Sequence, residues 1–186
     1  MSVQVAKRYF NVAEYYRMAE AGILSEDDRV ELIEGEILKM NAIGSRHAAC
    51  VNRLALLLNQ VIGHTPIVSI QNPVGLDDLS APEPDIALLK WRDDFYALSL
   101  PAPADTLLVI EVADTSIDYD QSVKVPLYAR ANIPEVWLIN LPEETIEIYS
   151  LPLNGAYQNL RQAKRGESIT SQAIPHLTLS VASVLG

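Results

Sequence analysis

The chain has 186 residues, 49% of them hydrophobic and 20% charged. That is the composition of one packed globular domain, and it excludes a disordered chain. Its 24 acidic residues against 14 basic ones give a formal net charge of −10, which excludes a globally positive surface for nucleic acid, since phosphate affinity rests on lysines and arginines that displace counterions.

No apolar run approaches membrane-spanning length; the longest, Leu54-Ala55-Leu56-Leu57-Leu58, is far too short, so no membrane partner is expected. The N-terminus MSVQVAKRYF lacks the apolar stretch of a signal peptide. Cys50, the single cysteine, excludes an internal disulfide and fits a reducing compartment, so a cytoplasmic setting is expected.

In chain order, Asn11-Val12-Ala13-Glu14 reads as a capping box opening a helix that carries Tyr15, Met18 and Ala19 and stops at Gly22. Ser25-Glu26-Asp27-Asp28 is a polar turn. Val30 to Met40 reads as two short strands around Glu34-Gly35, where glycine supplies a positive φ. Ser45 is expected to cap a helix running to Gly63, with Val51, Leu54, Leu58, Val61 and Ile62 recurring as its core face. Residues 67–71 follow as a strand after Pro66, and Pro84-Asp85-Ile86-Ala87-Leu88-Leu89 is the next, with proline tolerated at its start.

Residues 90–106 read as irregular, anchored by Trp91 and Phe95 and broken by Pro101 and Pro103. Leu107-Leu108-Val109-Ile110-Glu111-Val112 has the pattern of a strand covered on both faces. Asp118-Tyr119-Asp120-Gln121 resembles a helix cap, and the helix should reach about Ala131, bent or shortened by Pro126, which lacks a backbone donor. Strands at 136–139 and 146–149 flank the turn Pro142-Glu143-Glu144. The tail after Asn154 mixes short strand-like pieces with Gly and Pro and ends in the apolar SVASVL.

From Ser45 to Asn140 the order is helix, strand, strand, strand, helix, strand, the αβββαβ core of the restriction-endonuclease-like fold. The expectation is a single α/β (α+β) domain over residues 1–186. Its core lies at about 45–140, with an added N-terminal helix and β-hairpin and a C-terminal β extension. Such an order does not fix function.

The placement of the acids is sharper. Asp85 starts the second core strand and Glu111 sits near the end of the third, inside an apolar run. A buried, unpaired carboxylate costs several kcal/mol. A divalent cation bridging the two would offset that, and magnesium, which prefers oxygen ligands and keeps several waters, needs only two side chains and a carbonyl. It would activate water and stabilise phosphoryl charge. Alternatively, Glu111 pairs with an arginine or lysine, or ends its strand in solvent.

Lys124 lies one turn from both Asp120 and Tyr128. It either reaches a scissile phosphate or orients water, or else forms an exposed i,i+4 ion pair with Asp120. His47, four residues before Val51, is ordinarily a helix-terminal or core histidine; with Cys50 at i,i+3 it makes only a weak zinc signal. Glu31, Glu34 and Glu36 crowd the first hairpin, with one expected in a cleft and two in solvent. His64 and His176 receive no role. There is no GxSxG elbow, phosphate loop or GxGxxG, and Cys50 reads as a small core residue.

The motifs ELIEGEILKM, the serine and histidine of SRHAAC, EPDIALL, LLVIEVADTS, DYDQSVKVPLYARANIPEVWLIN and the EIY strand occur in the order found in the Uma-two endonuclease family, and the chain resembles it over about residues 10–180. The resemblance implies a PD-(D/E)xK restriction-endonuclease-like fold, with Pro84-Asp85, Glu111 and Lys124 in the positions of the family's Pro-Asp, strand glutamate and helix lysine. Two residues after Glu111 stands Ala113 instead of the superfamily's basic residue, so the resemblance implies that Lys124 replaces it. Asp114 stands where the family commonly carries a small hydroxyl residue.

The resulting expectation is a Mg²⁺- or Mn²⁺-dependent nuclease that hydrolyses phosphodiester bonds of nucleic acid, foremost DNA. Asp85 and Glu111 would hold the metal, with the Val112 carbonyl as a third ligand. Lys124 would position water or stabilise the transition state, and His47 and Glu31 would be secondary cleft residues. The excess of acid, Ala113 and Asp114 favour an alternative, a catalytically idle fold member that works as a binding or assembly module. A third reading is hydrolysis of a smaller phosphoester. Exposed strands and the apolar C-terminus leave room for a homodimer.

Overall fold

A computed structural model describes residues 6–25 and 27–186; the stretch 1–5, read above for a leader, and Glu26 of the polar turn lie outside them. The first helix, α1 (Val12–Glu20), opens on the expected capping box: Asn11 Oδ1 accepts from the Glu14 amide at 2.8 Å and the Asn11 amide donates to Glu14 Oε2 at 3.2 Å. Strands β1 (Val30–Ile33) and β2 (Glu36–Lys39) form a hairpin whose turn places Glu34 and Gly35 at φ 50° and 80°. This two-residue turn matches the twist of the strands and needs positive φ at both positions.

Helix α2 (Ser45–Ile62) begins one residue earlier than expected. Gly44 is its cap and makes no side-chain bond, so Ser45 is its first residue. Its buried stripe is Cys50, Val51, Leu54, Leu58 and Ile62; Val61 is exposed, because the turns set by 54, 58 and 62 carry it off that face.

One six-stranded mixed sheet follows, in the order β3 (Ile67–Ile70), β4 (Ile86–Leu89), β5 (Thr106–Ala113), β6 (Glu135–Asn140), β7 (Thr145–Leu153), β8 (Ala156–Lys164). Its neighbouring strands are antiparallel except β5 and β6, which a helical crossover joins in parallel. Two corrections apply here. Strand β4 begins at Ile86, so Pro84 and Asp85 sit in the bend just before it, and Trp91 and Phe95 are 47% and 62% exposed, stacking edge-to-face on each other instead of anchoring the loop in the core.

The crossover runs from 117 to 130 in three pieces: α3 (Ile117–Tyr119), a π-helical turn Asp120–Lys124, and α4 (Val125–Arg130). Pro126 accounts for the break. It has no N–H for the carbonyl four residues back and its ring crowds that carbonyl, so the preceding turn widens and the Val125 amide reaches back to the Asp120 carbonyl.

Alternation in β5 divides the core. Leu108, Ile110 and Val112 face α2, while Val109, Glu111 and Ala113 face α4 and the hairpin. The chain ends in the short pair β9 (Ser168–Thr170) and β10 (Thr178–Ser180) and helix α5 (Val181–Leu185), capped by Ser180. Val181 and Val184 are fully buried in the cluster that includes α2, so the apolar end fills the chain's own core and does not offer the surface expected for a second copy. Among the described residues, no helix is long and apolar enough to cross a membrane.

Candidate active-site cleft

Register brings the two sequence-distant acids together. Strand β4 pairs antiparallel with β5, and its last partner pair on this side is Ile86↔Ile110. One residue further out, Asp85 therefore lies opposite Glu111, and the Asp85 amide donates to Glu111 Oε2 at 3.3 Å. Because β4 has ended, the Val112 amide has no strand partner there; it donates instead to Asp85 Oδ2 at 2.9 Å.

Helix α2 approaches the same carboxylate from the opposite face, placing His47 Nε2 2.9 Å from Asp85 Oδ2. Asp85 raises the His47 pKa above its ordinary value through this hydrogen bond, against the effect of burial. His47 Nδ1 is buried and has no hydrogen-bond partner among the described residues. Gln71, just beyond the end of β3, donates to Asp85 Oδ1 at 3.3 Å.

Lys124 projects from the π turn into the space between strand β5 and the hairpin. Its Nζ stands 3.2 Å from Glu31 Oε2 and 3.3 Å from Glu111 Oε1. Tyr128, one turn later, donates to Glu111 Oε1 at 2.6 Å. Glu31, Glu111 and Lys124 are 4%, 3% and 5% exposed. The expected alternative of an exposed Lys124–Asp120 pair is thereby overturned, since Asp120 accepts instead from the Ser116 hydroxyl at 2.6 Å. Glu31 also accepts from the Glu83 amide at 3.2 Å and from the Tyr119 hydroxyl at 3.4 Å.

Burial pushes the Glu111 carboxyl up to about 8, against the opposing pull of Lys124. Burial alone would lower Lys124, but the carboxylates of Glu111, Glu31 and Asp120 outweigh it and hold its pKa above the ordinary value. Burial raises Asp120 to about 6, opposed by its bond from Ser116. The premise that Glu111 requires a cation from outside therefore needs correction: an ammonium and a phenol within the chain already satisfy its Oε1.

These groups open into one cleft of about 600 Å³. Glu31, Glu83, Asp85, Glu111, Asp114, Asp118 and Asp120 line it beside the permanent cations Arg29, Lys39 and Lys124, a strong local excess of negative charge. Asp114 is drawn toward Arg46, 3.4 Å away. Glu34 and Glu36 point elsewhere and pair with Arg130 and Lys7, leaving Glu31 as the hairpin's carboxylate in the cleft.

A family model described as "Putative restriction endonuclease", that of Uma2, matches residues 12–182. The chain belongs to the Uma2 family. A crystal structure described as that of "a putative nuclease belonging to DUF820" from Anabaena variabilis resembles it with a TM-score of 0.73 at 16% identity, covering 95% of this chain and 97% of that one. At that identity the likeness establishes a shared mixed α/β fold and no more. No curated protein matches the chain.

In this Uma2 chain, Ala113 is fully buried on the α4 side of the sheet, and Lys124 supplies the positive charge beside Glu111 from the crossover helix. Sequence reasoning placed Asp85, Glu111, Val112, Lys124, His47 and Glu31, all of which line this cleft. It missed Gln71, Glu83, Tyr119 and the direct bond from Tyr128. Tyr128 had a signal in its spacing from Lys124, and Glu83 lies two residues from Asp85 in an extended segment. Gln71 had none; only the β3–β4 register carries it to Asp85.

Proposed function

We propose that the protein is a divalent-metal-dependent nuclease that hydrolyses phosphodiester bonds, with DNA as the first substrate to test. The observation that carries this reading is the junction of the strand glutamate Glu111, Asp85 in the bend before the neighbouring strand, and a buried lysine at the floor of one cleft, in a chain of the Uma2 family. Among the described residues, no three His, Cys, Asp or Glu converge into a metal cage. The donor set nonetheless suits an ion that retains several waters, as Mg²⁺ and Mn²⁺ do.

Among the described residues, Asp85 Oδ1 and Glu111 Oε2 each accept a single long contact of 3.3 Å, so each keeps acceptor capacity. Together with the Val112 carbonyl, beyond the last β4–β5 pair, they would hold the metal. Bound there, the metal would supply a more acidic water and a counter-charge for a phosphoryl oxygen. Lys124, fixed by Glu31 and Glu111 on the same floor, offers an ammonium to developing negative charge or to the attacking water. His47 and the Val112 amide orient the Asp85 carboxylate. Glu31 holds Lys124 toward the cleft.

Incubation of circular DNA, single-stranded and duplex, with Mn²⁺ should give cleavage of at least one form by the wild type and of neither by Asp85→Ala or Glu111→Ala. Equal cleavage by all three would refute the assignment. The internal satisfaction of Glu111 Oε1 by Lys124 and Tyr128 favours a second reading, a catalytically idle module that needs no metal. Titration calorimetry with Mn²⁺ separates the two, because only the nuclease reading expects a site lost in Asp85→Asn.

A further inference from the structure

The shape and charge of the cleft narrow the substrate, on the basis of the nuclease reading above. Its floor is recessed: Glu31, Glu111 and Lys124 are 5% exposed or less, and the side chains of His47 and Asp85 are 15% and 13% exposed. The volume of about 600 Å³ is that of a small-ligand pocket.

Duplex DNA is a stiff rod with a persistence length of about 50 nm. Bringing one of its phosphates down to Lys124 would require distorting the helix or opening the cleft. A single strand has no such stiffness. It can lower one phosphodiester between the walls with its flanking bases splayed outward.

The rim charge points the same way. The cations at the mouth are Arg29 and Lys39 from the hairpin segment, joined from just outside the lining by Arg46 at the start of α2, which pairs with Asp114. Arg29 gives one N–H to the Asn41 carbonyl, at 3.2 Å, and Arg46 is shared with the Leu141 carbonyl, at 3.1 Å. Three cations can neutralise about three phosphates, where proteins that hold duplex DNA electrostatically contact roughly six to ten. Tyr119 of α3 adds an aromatic ring to the lining of the same cleft.

We infer that the cleft accepts a single-stranded nucleic-acid segment and engages about three of its phosphates, excluding the body of a B-form duplex. Fluorescence anisotropy with a labelled oligonucleotide, single-stranded or annealed to its complement, in the presence of Ca²⁺, tests this without relying on cleavage. The single strand should bind at least about tenfold more tightly, with log K falling against log salt at a slope of about −2, and Arg29→Ala and Lys39→Ala should each flatten that slope by about 0.7.

Duplex binding as tight as single-strand binding, a duplex slope near −5 or steeper, or binding of neither would overturn the inference. Circular single-stranded DNA with Mn²⁺ keeps the two readings apart. Single-strand-selective binding without cleavage supports this substrate class and removes the nuclease reading. Cleavage that favours a closed duplex keeps the nuclease reading and removes this one.

Discussion

Replacing Lys124 with methionine tests the centre of the site most directly, because the stem is preserved and only the ammonium is lost. With both carboxylates ionised, Lys124 at 3.2 and 3.3 Å from Glu31 and Glu111 gains roughly 5 kcal/mol from each at an effective dielectric constant of about 20. Burial of three ions, at several kcal/mol each, offsets most of this. The variant leaves two buried carboxylates without their cation, a loss of about 3–5 kcal/mol. Glu111, already pushed up to about 8 by burial, can escape by taking a proton, so the lower end of that range belongs to acidic pH and the upper end to alkaline pH. For a chain of this size the expected fall in Tm is about 6–20 °C. Urea unfolding and calorimetry measure both quantities. Adding Glu31→Gln and Glu111→Gln to Lys124→Met should recover stability to within about 2 kcal/mol of the wild type, since the stranded charges are then gone. A loss below about 1 kcal/mol for Lys124→Met alone would refute the arrangement, because that is the scale of an exposed surface pair.

Asp120 gives a pH test. Its folded pKa, about 6, lies above the ordinary 3.8, because burial disfavours the charged form. The folded state therefore holds a proton that the unfolded chain has released, and stability falls as pH rises from about 4 through about 6, by up to roughly 3 kcal/mol. Asp120→Asn should flatten the stability profile over that window; identical profiles for variant and wild type would rule the protonated form out. Glu135 gives a structural test away from the cleft: fully buried, it accepts from Trp137 Nε1, the Ser171 hydroxyl and the amides of Gln172 and Ala173. Glu135→Ala strands those donors, so a loss of about 3 kcal/mol or more is expected in urea unfolding, with faster proteolysis in the 171–174 loop. A change under about 1 kcal/mol would show that the loop does not depend on that carboxylate.

Much of the fold was legible because its signals are local. The Asn11–Glu14 box, the Glu34-Gly35 turn and the apolar run around Glu111 each depend on neighbours in the chain. Errors fell where competition between local preferences decided the outcome. Gly44 took the cap from Ser45, whereas the shortening expected at Pro126 did occur, in the form of a widened turn before it. The apolar SVASVL gave no sign of whether it would cover a partner or its own core, since hydrophobicity carries no address.

In the site, the sequence by itself determined which groups were present: Asp85 after a proline, Glu111 in a strand too apolar to leave it idle, and Lys124 on the Tyr128 face of a helix. What those charges meet was decided only by the tertiary structure. Register set Asp85 opposite Glu111, the end of β4 freed the Val112 amide for Asp85, and the π turn delivered Lys124 between Glu111 and Glu31. Glu31 and Lys124 lie 93 positions apart in the chain. The physical reason is that the charge state of a buried ionisable group depends on its surroundings within a few ångströms, and those surroundings come from strands and helices far apart in the chain.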